Sequence, residues 1–147
     1  DDDYGNLKYS NYFDSLSLYS VLEIVRREVS GGSEGYLTDL ALKRGVDAYG
    51  ITIKDMTDAY IAGDPVTVRA IDSSARVLGS VAANLAEYLD IDMIVINGAA
   101  VDLGENYLNA VRETARGKKV EYSSLLSDTT IMGAVNAGIT QAFSLRL

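Results

Sequence analysis

Apolar residues along this chain recur at helical spacing over most of its length and form two short continuous runs. From Ser15, the positions Leu18, Leu22, Val25 and Val29 lie on one helical face and stop at Gly31-Gly32, which predicts a first helix. A second is predicted from about Ser33 to Arg44, with Leu37, Leu40 and Ala41 inward and Gly45 suited to the left-handed residue past its end. Thr52-Ile-Lys-Asp55 has the form of a capping box, so a short helix should run to about Ala62. Asp64-Pro65 then offers an N-cap followed by a proline at the first helical position, where a missing N–H costs nothing.

The helix that follows is the longest. Val68, Ile71, Ala75, Leu78, Ala82, Leu85 and Leu89 form a heptad seam, and Val77, Val81 and Tyr88 are expected to add a second apolar face. A coiled coil would use larger seam residues than Ala75 and Ala82. With Gly79, Ser80 and Ala83 beside them, they predict a central helix packed closely on a sheet and on other helices. Ile91 to Asn97 reads as a short buried strand, Gly104 to Arg116 as an amphipathic helix showing Tyr107, Leu108 and Val111, and Lys118 to Tyr122 as a second, edge-like strand. Joined this way, the two strands should be parallel with a right-handed crossover. A last helix is expected from Asp128-Thr129 to about Phe143. Its small rows, Gly133/Ala137 and Ala134/Gly138/Ala142, would allow close approach of a backbone or a flat ligand.

Composition narrows the chemistry. At 147 residues and 48% hydrophobic, the chain can bury one ordinary core. It begins at Asp1, and we expect a piece of a longer protein. No apolar run approaches the length of a membrane span and no export signal is evident, so a soluble cytoplasmic location is expected, with no membrane partner. The absence of both cysteine and histidine excludes Ser-His-Asp and Cys-His schemes and thiolate zinc sites within the segment, so no catalytic residue, metal ligand or cofactor is assigned. A net charge of −8 disfavours direct contact with a phosphate backbone. The ten tyrosines mostly lack basic neighbours, and most read as core-edge residues, not as a base-stacking platform.

The stretch Met93-Ile-Val-Ile-Asn-Gly-Ala-Ala100 carries the strongest functional signal. A strand that ends in small residues just before a helix leaves its backbone open at the crossing point, where α/β proteins most often hold ligands.

Taken together, Ala62-Gly63-Asp64-Pro65, Ile94-Val-Ile-Asn-Gly98, and Ser127-Asp128 leading to Met132-Gly133-Ala134 resemble the C-terminal part of the ROK family of repressors, open reading frames and sugar kinases. The resemblance implies an α/β fold, the helix-rich C-terminal portion of an actin-like ATPase (ribonuclease H-like) lobe with a short parallel β-α-β unit. Residues 1–15 would then be a degenerate zinc-loop region and 16–147 the helical and β-α-β core, with an upstream lobe and any DNA-binding domain absent from the chain. The family's zinc loop follows Cys-x-Cys-Gly-x-x-Gly-Cys-x-Glu, with Ser four residues later. Here Gly5, Asn6 and Ser15 fit, while Asp2, Tyr4 and Tyr9 replace the cysteines and Lys8 the second glycine. The place of the family's sugar-contacting glutamate falls on Asn11, which can hydrogen-bond but carries no charge.

In the kinases of this superfamily the strand-to-glycine turn lies against the adenosine of ATP. By resemblance, Asn97, Gly98, Ala99 and Ala100 mark a nucleotide turn, degraded because alanine methyl groups at 99 and 100 are expected to narrow the cleft. These departures favour the effector-binding and dimerising segment of a ROK-type transcriptional regulator, responding to a sugar or sugar phosphate. It would act as a homodimer that meets DNA only through a domain outside this chain. The alternative is the C-terminal half of an ATP-dependent sugar kinase, inactive alone without its other lobe; a further alternative is a structural or oligomerisation module without ligand.

Overall fold

The computed structural model describes residues 18–123 and the strand Ala134–Asn136. The helices are α1 (Leu18–Ser30), α2 (Tyr36–Arg44), α3 (Ile53–Ile61), α4 (Pro65–Tyr88) and α5 (Glu105–Thr114). The strands are β1 (Met93–Asn97), β2 (Lys119–Tyr122) and β3 (Ala134–Asn136), and short 3-10 turns occupy Ala48–Gly50 and Gly98–Leu103. The three strands form one parallel sheet in the order β2-β1-β3, with Ile94 beside Val120 and Ile96 beside Tyr122 and Val135.

β1 is the centre of the sheet. Ile94, Val95 and Ile96 are fully buried, as expected for a strand covered on both faces. The crossover to β2 runs through α5. Arg112 fixes it by donating two hydrogen bonds to the Val120 carbonyl, at 3.2 and 2.9 Å, and the Tyr122 hydroxyl donates to the Gly104 carbonyl at 2.6 Å.

Two expectations are corrected here. Residues 134–136 lie in a strand beside β1 and not in a helix; the rest of the expected 128–143 helix lies outside the described residues. A buried central strand needs a partner on its second edge, and a three-residue strand is too short to display a period of its own, so the small-residue spacing around it read as helical. Of the second apolar face expected on α4, Val81 is buried, but Val77 is 40% and Tyr88 87% exposed. Many of the positions buried in their place are small, including Ser74, Gly79, Ala83 and Ala86. Gly79 shows why. A β-carbon there would overlap the Val111 carbonyl oxygen and the Thr114 hydroxyl of α5, so the two helices cross at a distance only glycine permits. Thr114 locks the crossing by donating its hydroxyl hydrogen to the Arg76 carbonyl of α4.

The Ala-Gly-Asp-Pro start of α4 has a larger role than a single cap. The carboxylate of Asp64, only 6% exposed, accepts from the Thr67 N–H at 3.1 Å and the Thr67 hydroxyl at 2.6 Å. Its other oxygen accepts from the Tyr36 N–H, the first residue of α2, at 3.2 Å. One carboxylate thus caps two helices. This also moves the start of α2 from Ser33 to Tyr36, because Gly35 must leave room for Asp64: a β-carbon on Gly35 would sit 2.7 Å from the Asp64 Oδ1.

Candidate functional site

The C-terminal end of β1 delivers the chain into a turn at Asn97, where Gly98 takes a φ of 82° and opens the 3-10 segment to Leu103. Ala100 and Leu103 anchor this segment in the core, while Ala99 and Asp102 face outward. Opposite them stands α3. Ile53, Lys54, Thr57, Asp58 and Ile61 of that helix, with Ala99 and Asp102, enclose a half-open cleft of about 500 Å³.

The cleft wall is set by local chemistry at the start of α3. Thr52 and Asp55 close the capping box expected from sequence, the Thr52 side chain accepting from the Asp55 N–H at 3.1 Å and the Asp55 carboxylate from the Thr52 N–H at 2.9 Å. Arg44 of α2 adds a 2.7 Å ion pair to the same carboxylate. Burial pushes the Asp55 pKa up, but the Arg44 and Thr52 hydrogen bonds outweigh it and hold the carboxyl below its usual range. Along the cleft, the Lys54 ammonium pairs with Asp58 at 2.9 Å, a bond that raises the lysine pKa. The Thr57 hydroxyl is engaged with the Ile53 carbonyl at 3.0 Å. The surface is therefore two isoleucines and an alanine bordered by an ion pair and the Asp102 carboxylate. Such a mixture suits a flat, partly apolar ligand carrying hydrogen-bond donors.

Of the residues singled out from sequence, Asn97, Gly98, Ala99 and Ala100 do converge on this turn, but only Ala99 lines the cleft. The Ala100 methyl is fully buried among core side chains, so it does not narrow the opening as expected. Asn97 stands in register beside Asn136 of β3, and its side-chain oxygen is buried with no hydrogen-bond partner among the described residues. The Tyr107 hydroxyl, at the start of α5, is likewise buried and unpartnered, and burial raises its pKa. Asn11, Asp2, Tyr4 and Tyr9 lie outside the described residues. Sequence reasoning missed the whole α3 wall. Ile53, Thr57 and Ile61 do step by four, but Thr57 is itself buried with Met56, Ala59 and Tyr60, so the spacing alone did not mark Ile53 and the 64% exposed Ile61 as a cleft wall.

A parallel strand-turn-helix crossover with a cleft at the strand's C-terminal end, backed by a long small-residue helix, defines an α/β fold. The chain belongs to the ROK family, whose profile matches residues 30–133. It is 29% identical over 124 residues to a protein named glucokinase from Halalkalibacterium halodurans, an alignment covering 78% of this chain and 37% of that protein. A ROK family transcriptional regulator, a homologue of the Escherichia coli Mlc protein, superimposes with a TM-score of 0.59 at 18% identity, over 71% of this chain and 26% of that one. A ROK family glucokinase from Streptomyces griseus, solved with glucose and AMPPNP, gives 0.59 at 23% identity, over 72% and 36%. The chain thus spans little more than a third of the glucokinases, and less of the regulator. No helix among the described residues is long and apolar enough to cross a membrane.

Proposed function

We propose that this chain is the sugar-effector-binding and dimerising segment of a ROK-type transcriptional regulator. The observation that carries the reading is the chemistry of the zinc-loop positions. By the resemblance read from the sequence, Asp2, Tyr4 and Tyr9 take the places of the family's three thiolates and Asn11 that of its sugar-contacting glutamate. Without cysteine or histidine anywhere in the segment, the family's zinc has no thiolate or imidazole ligand to take here. A regulator needs only differential affinity for its effector, which a neutral Asn11 can supply by hydrogen bonding. The effector favours one lobe arrangement, and that arrangement alters the spacing of DNA-binding domains carried elsewhere in the polypeptide.

The second reading, the C-terminal half of an ATP-dependent sugar kinase, is favoured by the 29% identity to a glucokinase and by the open cleft beside Ala99. One experiment separates them. On the full-length protein, glucose and related sugars should raise the melting temperature, while a coupled assay with ATP and the same sugars shows no phosphoryl transfer. ATP-dependent phosphorylation of any stabilising sugar would overturn the regulator reading in favour of the kinase. No stabilisation by sugars or sugar phosphates would overturn both and leave a structural module.

A further inference from the structure

Helix α2 is attached to the rest of the molecule in an unusual way. It is nine residues long, too short to persist on its own in water. Gly35, with φ 151°, precedes it and Gly45, with φ 69°, follows it, both conformations that residues with side chains rarely adopt. Only Leu37 and Ala41 of the helix are buried, while Leu42 is 75% exposed. Among the described residues, two polar tethers hold α2 to other helices, the Tyr36 N–H to Asp64 and the Arg44 guanidinium to Asp55, and the Thr38 hydroxyl donates to the Ser33 carbonyl in the loop that leads into it.

Both tethers end on carboxylates that are already occupied. Asp64 keeps the Thr67 N–H and hydroxyl, and Asp55 keeps the Thr52 N–H, whether or not α2 is in place. Releasing α2 therefore leaves neither buried carboxylate without a partner. Asp55 gives up its paired cation on release but keeps a hydrogen-bond donor, so the penalty is smaller than for a buried charge left with no partner at all. What resists release is the burial of Leu37 and Ala41 and the packing of half-buried Leu40 against the core.

From this arrangement we propose that α2 is a hinged arm, undocking as a unit about Gly35 and Gly45 while α3 and α4 stay folded, and that its docked state braces the cleft wall through the Arg44–Asp55 pair. The inference goes beyond the regulator reading and does not depend on which ligand the cleft takes. By reciprocity, whatever steadies α3 from the cleft side favours the docked arm, and the docked arm favours that ligand. Exchange of the arm between positions is then a route by which cleft occupancy reaches the surface around Tyr36 and Leu42, both exposed.

Hydrogen–deuterium exchange on the full-length protein tests it. The amides of Asp39–Gly45 should be protected at least about tenfold less than those of Ile71–Ala83 in α4, reflecting a local opening. Leu37→Ala should lower α2 protection by a further factor of about thirty or more, leaving α4 nearly unchanged. Arg44→Gln, which removes no buried side chain, should lower protection at α2 and at the first-turn amides of α3, including Met56. Equal protection of α2 and α4 in the unmodified protein, falling together in Leu37→Ala, would mean that α2 opens only with the whole fold and would overturn the arm. Arg44→Gln without effect on α3 would overturn the brace.

Discussion

Asp64 is the most consequential side chain at the front of the fold, and its replacement by alanine can be reckoned contact by contact. The Thr67 N–H loses its N-cap acceptor, at a cost of about 1 kcal/mol. The Tyr36 N–H of α2 loses its own, about 1 kcal/mol again. The Thr67 hydroxyl, in a residue that is fully buried, is left without the carboxylate oxygen 2.6 Å away. Stranding a buried donor adds about 1 to 2 kcal/mol. Asp64→Ala should therefore destabilise by about 3 to 4 kcal/mol, within the range of substitutions that break a buried hydrogen-bonded network. Asp64→Asn divides the effect. Its amide oxygen can serve Thr67 while its NH2 faces the Tyr36 N–H, donor against donor, so only the α2 contact is lost, about 1 to 1.5 kcal/mol. Chemical denaturation of the full-length protein, read as a shift of midpoint at constant slope, measures both. If Asp64→Ala cost less than about 0.5 kcal/mol, or no more than Asp64→Asn, one carboxylate would not be joining two helices and the reasoning would fail.

Gly79→Ala should lower the melting temperature more than Gly63→Ala, although both remove a glycine. The first drives a methyl into the Val111 carbonyl and costs about 1 to 3 kcal/mol of overpacking; the second meets open space and pays only for its φ of 86°, about 1 kcal/mol. The reverse order would mean that α4 and α5 are not in contact at Gly79. At alkaline pH, burial raises the pKa of Tyr60, Tyr107 and Tyr122 above the ordinary value, with the Asp72 hydrogen bond adding to the effect at Tyr60 and the Glu105 carboxylate at Tyr122. The folded state thus holds these protons more tightly than the unfolded chain. Their stabilising contribution is complete below the ordinary tyrosine value of about 10 and is lost as pH rises beyond it towards the raised values. Phenolate absorbance from these three should appear together with unfolding; their ionisation in the intact fold would contradict the burial argument.

What could be read from the sequence was whatever local chemistry decides. Thr52, Asp55, Asp64 and Pro65 act within a few residues of themselves, and their caps stand where the spacing put them. The parallel pairing of β1 with β2 followed from an apolar run, an amphipathic helix and a second run, because the crossover rule leaves few other options. The reach of Asp64 to Tyr36 could not be read, since it joins positions 28 apart in the chain. Val77 and Tyr88 misled because hydropathy marks them as core residues, whereas the burial of α4 is carried by other positions, many of them alanine, serine and glycine. At the cleft, the turn at Asn97–Ala100 was legible from its small residues. The opposing α3 wall was not, because only tertiary packing brings Ile53 and Ile61 against Ala99.

The two-helix cap has an electrical consequence. Asp64 is a nearly buried carboxylate with no cation among its hydrogen-bond partners in the described residues; there its counter-charge is the paired positive ends of two helix dipoles. Dissolved ions screen exposed pairs such as Arg76–Glu113 and Arg116–Glu87, which tie α4 to α5 and to the turn after it, and screen a buried group much less. Raising ionic strength should therefore loosen the back of this acidic chain while leaving the junction at its front intact, so that brine and fresh buffer select different weak points in the same molecule.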